Sequence, residues 1–477
     1  MWTGVGDSGC DILQEPLRSG DAASLPPERT LARDLGVSHA GAIVVGTIIG
    51  SGIFLVPQEM MQAVGSAPLV YLAWIVGGLL SFFGVLTYAE LAALKPEAGG
   101  EYVYVRDGYG PLAGFLYAWT WCFIAKPASI ASITTALVRI LGTFPALKFL
   151  SYAVWNNHAF TYGQIFAVIA TLLITGLNYR GVKKAGDFQL VFTLLKIGMI
   201  LVIVAVGFSY GGGSLSHFRE EFTGAKGGFA GFMAALVAAL WAYDGWNDLT
   251  MVSGEVKNPE RNLPLALIFG VGTVAILYLS INAAIQYVMP AAAIAASPRP
   301  ASEAVSLVIG PAGAGLVAAG MALSMLVTLN GTIMSGARVP FAVARDGYFF
   351  QALGNVHPRF RTPAVALVVQ AGLAVILLLL GGSFRQFFSL AIFAEWLFYM
   401  IAASTIFLFR RKGTQSTYRT WGYPVVPALF ILASAVLLYF TFRENLRYSI
   451  WGTLLILAGI PVFFAFARVR DRANNPH

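Results

Sequence analysis

Long apolar runs recur along almost the whole chain, from Val37 to Phe466. Runs of about 18 or more apolar residues with few charges are long enough to cross a bilayer as helices. The composition agrees, because 57% of the residues are hydrophobic and 11% are charged, whereas soluble domains carry about 25% charged residues. The runs lack the roughly ten-residue alternation of outer-membrane barrels. The chain is therefore predicted to be an all-α integral membrane protein.

The loops between these runs predict the topology. Most of the 31 Lys and Arg residues fall in alternate loops, and such loops stay in the cytoplasm. Both termini are therefore predicted to be cytoplasmic. The net charge of +8 reflects this topology and does not indicate a nucleic-acid surface. About twelve transmembrane helices are predicted, near residues 38–62, 67–94, 111–142, 162–179, 188–208, 230–253, 262–289, 311–337, 363–381, 386–409, 424–442 and 447–467.

The sequence offers few groups for enzyme chemistry. Its five histidines are scattered over loops and span ends, without the close spacing of a metal site. It contains no Walker A sequence and no obvious pair of nucleophile and base. We therefore expect neither an enzyme nor an ATP-driven pump, and neither a metal nor a cofactor. The polar residues 1–35 are predicted to form a disordered tail without a cleaved signal peptide.

The first predicted span is interrupted by small residues, within residues 46–54. Glycines let the backbone leave helical geometry at little steric cost, and unwinding in a bilayer requires that the freed groups face protein, ligand or water. A helix that restarts here presents unpaired N–H groups and the positive end of its dipole, which suits a substrate carboxylate. The alternative is a helix-packing face, because Gly46 and Gly50 have the Gly-x-x-x-Gly spacing.

A second interruption lies within residues 241–247, in the middle of the sixth span. Asp244 is charged at a depth where a carboxylate is a functional residue by default. Carbonyls that unwinding frees here would accept hydrogen bonds from an ammonium group. Two broken spans in corresponding positions of two halves indicate the binding site of a secondary transporter. The two breaks together predict a clamp for a zwitterion.

Four separated motifs carry a family resemblance, at residues 46–54, 241–247, 254–264 and 335–340. In this order they resemble the L-amino acid transporter family of the amino acid, polyamine and organocation superfamily. The resemblance implies alternating access through a five-plus-five inverted repeat, with spans one and six broken. The implied divisions are two five-helix repeats over residues 36–210 and 211–410, two additional helices over 411–468, and a cytoplasmic tail over 469–477.

The resemblance also implies a substrate site between the two breaks. The substrate carboxylate would meet Ser51 and the amides of Gly52 and Ile53. The full set of implied substrate contacts is Ile48, Ile49, Gly50, Ser51, Gly52, Ile53, Trp241, Ala242, Asp244, Asn247 and Glu395.

The substrate ammonium, by the same resemblance, would meet the carbonyls of Ile48, Trp241 and Asp244. The ring of Trp241 is similar to the family's outer gate, although packing alone also accounts for a buried aromatic residue. Asn247 either contacts substrate or caps broken backbone.

Lys196 lies about eight residues inside the fifth span, roughly 12 Å deep at about 1.5 Å per residue. Relatives of this family place a lysine here that resembles a substitute for the bound sodium of sodium-coupled proteins, with its ammonium against the first break. A tethered cation fills a carbonyl-lined site without an ion gradient, which predicts sodium-independent transport. The alternatives are snorkelling and a buried pair without a transport role.

Two further intramembrane charges leave two interpretations each. Lys126 stands before Pro127 in the third span, where relatives often carry a basic residue; it either faces a cytoplasmic vestibule or snorkels. Glu395, in the tenth span, either lines the side-chain pocket or pairs with another buried polar group.

The predicted function is an exchanger or permease of L-amino acids, neutral and, through Asp244, cationic. Proton-coupled symport of amino acids or polyamines is the first alternative, and a membrane receptor or channel without transport activity is the second. Asp244 itself either attracts a basic substrate side chain or hydrogen-bonds the broken helix. The animal light chains of the family use a cysteine after span three for a heavy-subunit disulfide, whereas residues 141–161 contain none. We therefore expect a stand-alone protein in a plasma membrane, such as the bacterial inner membrane, with amino acids and membrane lipid as its partners.

Overall fold

The computed structural model describes residues 30–154, 160–381, 384–444 and 446–474. Within these ranges the chain is helical, and strand-like pairing is confined to three isolated bridges. This confirms the predicted all-α membrane fold. The helices are α1 (Val37–Ile48), α2 (Gly52–Val64), α3 (Ala67–Leu94), α4 (Glu101–Tyr109), α5 (Pro111–Thr120), α6 (Lys126–Leu141), α7 (Tyr162–Tyr179), α8 (Val182–Phe208), α9 (Gly228–Ala242), α10 (Asp248–Met251), α11 (Pro259–Val288), α12 (Ala291–Ala296), α13 (Pro300–Ile309), α14 (Pro311–Gly336), α15 (Arg338–Arg345), α16 (Ala364–Leu380), α17 (Phe384–Arg411), α18 (Val425–Glu444), α19 (Leu446–Leu457) and α20 (Gly459–Asn474).

Most predicted spans coincide with these helices. Nine continuous helical stretches in the described ranges are long and apolar enough to cross a membrane, and the bent pair of α1 and α2 makes ten. The sixth and ninth predicted spans correspond to the shorter apolar helices α9 and α16. The predicted spans begin or end a few residues away from the helices, as at α8, which starts at Val182.

Both predicted interruptions are present, and both are shorter than the sequence motifs that predicted them. The first runs from Ile49 to Ser51, between α1 and α2, which are bent by 40°. The second runs from residue 243 to residue 247, between α9 and α10. Gly245 has φ +108°, and a Cβ there would lie 3.2 Å from the carbonyl carbon and oxygen of Thr47. Glycine is therefore required where the second break crosses the first span.

The first span lies in the centre of the bundle, where α1 packs against α8, α11 and α14. Gly46 permits this approach, because a Cβ there would come within 2.4 Å of the Gln189 amide nitrogen and 2.5 Å of the Thr193 hydroxyl. At Gly50 the nearest side-chain atom would be 3.6 Å away. Of the two glycines in the Gly-x-x-x-Gly pattern, only Gly46 is thus needed for close helix packing.

The third span contains a π-helical turn, over Trp121–Ala125, between α5 and α6. The turn holds one residue more than an α-helical turn would, and the Lys126 amide bonds back to the Trp121 carbonyl. Such turns often occur at functional sites, and this one immediately precedes the intramembrane Lys126.

A buried ion pair joins two of the sequence motifs. The guanidinium of Arg338 donates to both carboxylate oxygens of Glu255, at 2.6 and 2.9 Å, and both residues are fully buried. A two-pronged arginine–carboxylate contact fixes geometry as well as charge. It holds the start of α15 against the short turn that follows α10.

The chain segment before α1 is ordered in part. The Leu35 amide donates to the Glu255 carbonyl at 3.0 Å, and the Lys257 amide donates to the Leu35 carbonyl at 2.8 Å. Arg361 donates to the Thr30 carbonyl at 3.2 Å. Residues 30–35 were predicted to belong to the disordered tail, and these backbone contacts correct that boundary. Residues 1–29 of the predicted tail lie outside the described ranges.

Candidate functional site

A cavity of about 140 Å³ lies between the two breaks. Residues of α1, α2, α6, α9, α10, α14 and α17 contribute to its wall, so it forms where both broken spans meet three further helices. A wider depression of about 700 Å³ lies over the loop at residues 416–423 and is lined by other residues. The cavity lining comprises Thr47, Ile48, Gly50, Ser51, Gly52, Lys126, Ser129, Ser132, Ile133, Trp241, Ala242, Asp244, Gly245, Asn247, Asp248, Met325, Thr328, Thr332, Glu395 and Tyr399.

The carbonyls of the first break are occupied by fixed donors. The ammonium of Lys196 donates to the carbonyls of Gly46 and Ile49, at 2.9 and 2.6 Å. The hydroxyl of Ser324 donates to Ile49 at 2.7 Å, and that of Thr328 donates to Gly46 at 3.2 Å. Lys196 is fully buried, so its side chain does not snorkel to the membrane surface. Its position agrees with the one that the family resemblance implies.

A tyrosine from α11 bridges the two breaks. The hydroxyl of Tyr278 lies 3.0 Å from the Ile48 carbonyl and 2.9 Å from the Ala242 carbonyl. Thr47 adds a second link, with its hydroxyl 2.8 Å from the Gly245 carbonyl. The Ile48 carbonyl, which the resemblance assigns to the substrate ammonium, therefore already has a protein donor.

The second break is surrounded by acidic and phenolic side chains. The hydroxyl of Tyr399 lies 2.9 Å from the Asp244 carboxyl and 2.9 Å from the Asn247 amide oxygen. The amide nitrogen of Asn247 donates to Glu101 at 3.2 Å, and the Tyr117 hydroxyl donates to the same carboxyl at 2.7 Å. Asn247 thus binds side chains and does not cap broken backbone.

Glu101 lies outside the long apolar helices, at the start of α4, yet it is fully buried. Burial raises the pKa of its carboxyl to about 7, against the hydrogen bonds from Tyr117, Tyr88 and Asn247 that lower it. A carboxyl with this pKa gains and loses a proton near neutral pH.

Lys126 forms a buried ion pair at the wall of the cavity. Its ammonium contacts the carboxylate of Asp248, and it lies 5.7 Å from the centre of the Trp121 ring. Both members of the pair are buried, so Lys126 does not snorkel. Glu395, also buried, accepts a hydrogen bond from Ser129 at 3.3 Å.

The structure brings most of the predicted substrate contacts together. Ile49 and Ile53 are outside the cavity lining, and their side chains are buried in the core. Trp241 lines the cavity, and a Cβ added at Gly52 would lie 3.6 Å from its ring. The predicted contacts that line the cavity are Ile48, Gly50, Ser51, Gly52, Trp241, Ala242, Asp244, Asn247 and Glu395.

Several residues in or beside the cavity were not predicted. Asp248 carried a usable signal, since it is a second carboxylate four residues after Asp244 in the same apolar span. Tyr399 and Tyr278 carried none, because the chain contains 19 tyrosines and aromatic residues are common in buried positions. Glu101 was hidden by its place in a polar segment between two spans.

Comparisons with known proteins agree with this architecture. The model of the amino acid permease family matches residues 35–466. The serine/threonine exchanger SteT of Bacillus subtilis (strain 168) is 33% identical over 445 residues, which cover 92% of this chain and 98% of that protein. The b(0,+)-type amino acid transporter 1 of Mus musculus is 30% identical over 452 residues, 92% of this chain and 88% of that protein. The cystine/glutamate transporter of Homo sapiens is 28% identical over 440 residues, 91% of this chain and 85% of that protein.

The family match extends from two residues before α1 into α20, and it includes both breaks and the cavity between them. The chain therefore belongs to the amino acid permease family.

Proposed function

We propose that this protein is a sodium-independent exchanger of L-amino acids that carries both neutral and cationic substrates by alternating access. The observation that carries the proposal is the cavity between two broken spans, with Lys196 seated on the carbonyls of the first. Exchange is the activity named for the serine/threonine exchanger SteT, with which the chain is aligned over most of its length.

Sodium independence rests on the contacts of Lys196. Backbone carbonyls of an unwound span are the groups that coordinate sodium in other transporters with broken helices. Here the carbonyls of Gly46 and Ile49 accept hydrogen bonds from a tethered ammonium. The expected result is that an imposed sodium gradient does not drive amino acid accumulation in proteoliposomes, and accumulation driven by sodium would contradict the proposal.

Within the cavity, Asp244 is the group proposed to select cationic substrates. Its carboxyl is held by Tyr399, which leaves it at the cavity wall instead of in an ion pair with Lys126. An opposite charge at about 4–6 Å from a carboxylate is favourable, so a basic substrate side chain gains from this position.

Counterflow of labelled amino acids in proteoliposomes tests both parts. The protein should show saturable uptake that depends on internal amino acid. Asp244→Asn should reduce arginine and lysine uptake by about tenfold relative to leucine and alanine, the effect of one charge-assisted contact of about 1.5 kcal/mol. Asp471→Asn, at an exposed position in α20, is the matched control. Equal loss for all substrates in a folded Asp244→Asn protein would assign Asp244 to the scaffold.

The proposed cellular setting follows the predicted topology. The protein would lie in the plasma membrane with both termini in the cytoplasm, and its repeats would span residues 36–210 and 211–410. It would act without a disulfide-linked heavy subunit, since residues 141–161 contain no cysteine. Accessibility of a single cysteine introduced at Asp471 from the cytoplasmic side tests the orientation.

A further inference from the structure

Four carboxyl groups surround the second break and share one nearby cation among the residues that the structure describes. Asp248 contacts Lys126 directly, and Asp244, Glu395 and Glu101 interact with the same ammonium at longer range. Lys196 lies at the other break, where its ammonium donates to backbone carbonyls. Full ionisation would leave a buried net charge of about −3, which is costly in a low-dielectric interior.

The hydrogen bonds at Tyr399 favour a proton on one of these carboxyls. A hydroxyl has one hydrogen, yet the Tyr399 oxygen lies 2.9 Å from both the Asp244 carboxyl and the Asn247 amide oxygen. With the Asn247 nitrogen turned to Glu101, Tyr399 satisfies the Asn247 oxygen when it donates there, and a protonated Asp244 then donates to Tyr399. With the Asn247 amide reversed, its oxygen faces Glu101, which must then carry the proton.

Position in the cavity distinguishes Asp244 from Glu101. Glu101 faces two donors, Tyr117 and Asn247, whereas Asp244 shares the cavity lining with a second acid, Glu395, and the two carboxyls interact. Two carboxyls that face each other do not both ionise readily and share a proton instead. The charged or polar groups around this pair are Lys126, Ser129, Asn247, Asp248 and Tyr399, with Tyr88, Glu101 and Tyr117 beyond Asn247.

We propose that Asp244 and Glu395 together hold one exchangeable proton, and that this proton takes the place of the charged side chain of a cationic substrate. The inference rests on the proposed exchange function and specifies its charge balance. A neutral amino acid crosses together with the proton. A cationic amino acid crosses without it, because its positive side chain now faces the two carboxyls.

The step balances in atoms and charge. When arginine enters the site, the O–H bond of the shared carboxyl breaks, the proton leaves to water, and the guanidinium pairs with the resulting carboxylate. When alanine or leucine replaces arginine, the carboxylate takes a proton from water on that side. Exchange of external arginine for internal alanine therefore moves one positive charge inward, as arginine, and about one outward, as a proton.

Proton flux in proteoliposomes tests this exchange. Vesicles containing wild-type protein, internal alanine and a trapped pH-sensitive dye receive external labelled arginine. The lumen should become alkaline by about one proton per arginine, and the exchange rate should not respond to a membrane potential imposed with potassium and valinomycin. Two homoexchange controls, with alanine on both sides or arginine on both sides of the membrane, should leave the luminal pH unchanged.

Two matched variants locate the proton. In Glu395→Gln, Asp244 no longer faces a second acid, stays ionised and accepts the Tyr399 hydrogen, so the proton-to-arginine ratio should fall toward zero and the remaining exchange should become voltage-dependent. Glu101→Gln should keep the ratio near one. The ratio is normalised to tracer arginine, so a lower rate in either variant does not affect it.

The outcomes separate the inference from the function on which it rests. Arginine–alanine exchange by wild-type protein without proton movement, or with voltage dependence, overturns the shared proton while leaving the exchanger intact. A proton-to-arginine ratio near zero in Glu101→Gln overturns the assignment of the proton to Asp244 and Glu395. Absence of counterflow with any amino acid overturns the proposed function itself.

Discussion

The two breaks differ in the groups that surround their unwound backbone. At the first, the freed carbonyls of Gly46 and Ile49 are satisfied by permanent donors, of which Lys196 is charged. At the second, several side-chain oxygens lie around Asp244. The Tyr399 hydroxyl hydrogen-bonds to Asp244, and Lys126 is the cation nearby. The first break is therefore a cation site that Lys196 occupies permanently. The second break is acidic and leaves room for a cation that can be exchanged. Substitutions that remove charge should consequently affect the two breaks differently.

Breaking the ion pair beside the second break should have the largest effect. Lys126→Met leaves Asp248 buried without its cation, which costs about 3–5 kcal/mol of stability. The double variant Lys126→Met with Asp248→Asn should recover much of this loss, since no unpaired charge remains. Thermal unfolding in detergent measures both. A double variant no more stable than the single one would show that the pair contributes by shape and not by charge.

Removing the fixed cation of the first break should have the next largest effect. Lys196→Met leaves two buried carbonyls without their charged donor, at about 1.5–3 kcal/mol, and should lower exchange of all amino acids by about ten- to hundredfold. Lys183→Met, at an exposed position of the same helix, is the control. Selective loss of arginine uptake alone would mean that Lys196 senses the substrate side chain.

Glycine substitutions compare the backbone of the two breaks. Gly245→Ala should cost about 1–2 kcal/mol, because Gly245 has a positive φ and the added Cβ presses on Thr47. Gly50→Ala should cost less, since the nearest side-chain atom would be 3.6 Å away. Unfolding temperatures of the two purified variants provide the comparison, and equal losses would contradict it.

The two bridging tyrosines should show the smallest and most specific difference. Tyr399→Phe removes one hydrogen bond from Asp244, worth about 1 kcal/mol, and should change the ratio of arginine to alanine uptake by about fivefold. Tyr278→Phe frees carbonyls of both breaks and should lower uptake of the two substrates alike. Competition between the two labelled amino acids in one vesicle preparation measures the ratio directly.

Much of the fold was predictable because membrane helices and their interruptions follow local sequence. Apolar length predicted the spans, and glycine within an apolar run predicted both breaks. The family resemblance is confirmed by the match over residues 35–466. The amino acid permease assignment also supports the predicted transport class.

Pairings between distant residues were beyond the sequence. Lys126 appeared as a lone charge, and its partner Asp248 lies 122 residues away. Glu255 and Arg338 stood in two recognised motifs, yet nothing in either motif indicated their direct pairing. The hydrogen bond between Glu101 and Asn247 depends on how α4 packs beside the second break, and no local sequence pattern indicates this packing.

Because of the π-helical turn at Trp121–Ala125, the position of the Lys126 charge in the cavity depends on the number of residues in the third span. Each residue advances a helix by about 100°. Deleting one residue within this turn would let α5 and α6 join as an ordinary α-helix and rotate Lys126 and Ser129 by about a quarter-turn away from the cavity. A single-codon deletion could thus remove the positive charge from the substrate wall while every remaining amino acid stayed the same. In this protein, the charge of the cavity wall therefore depends on the number of residues in the third span as well as on their identity.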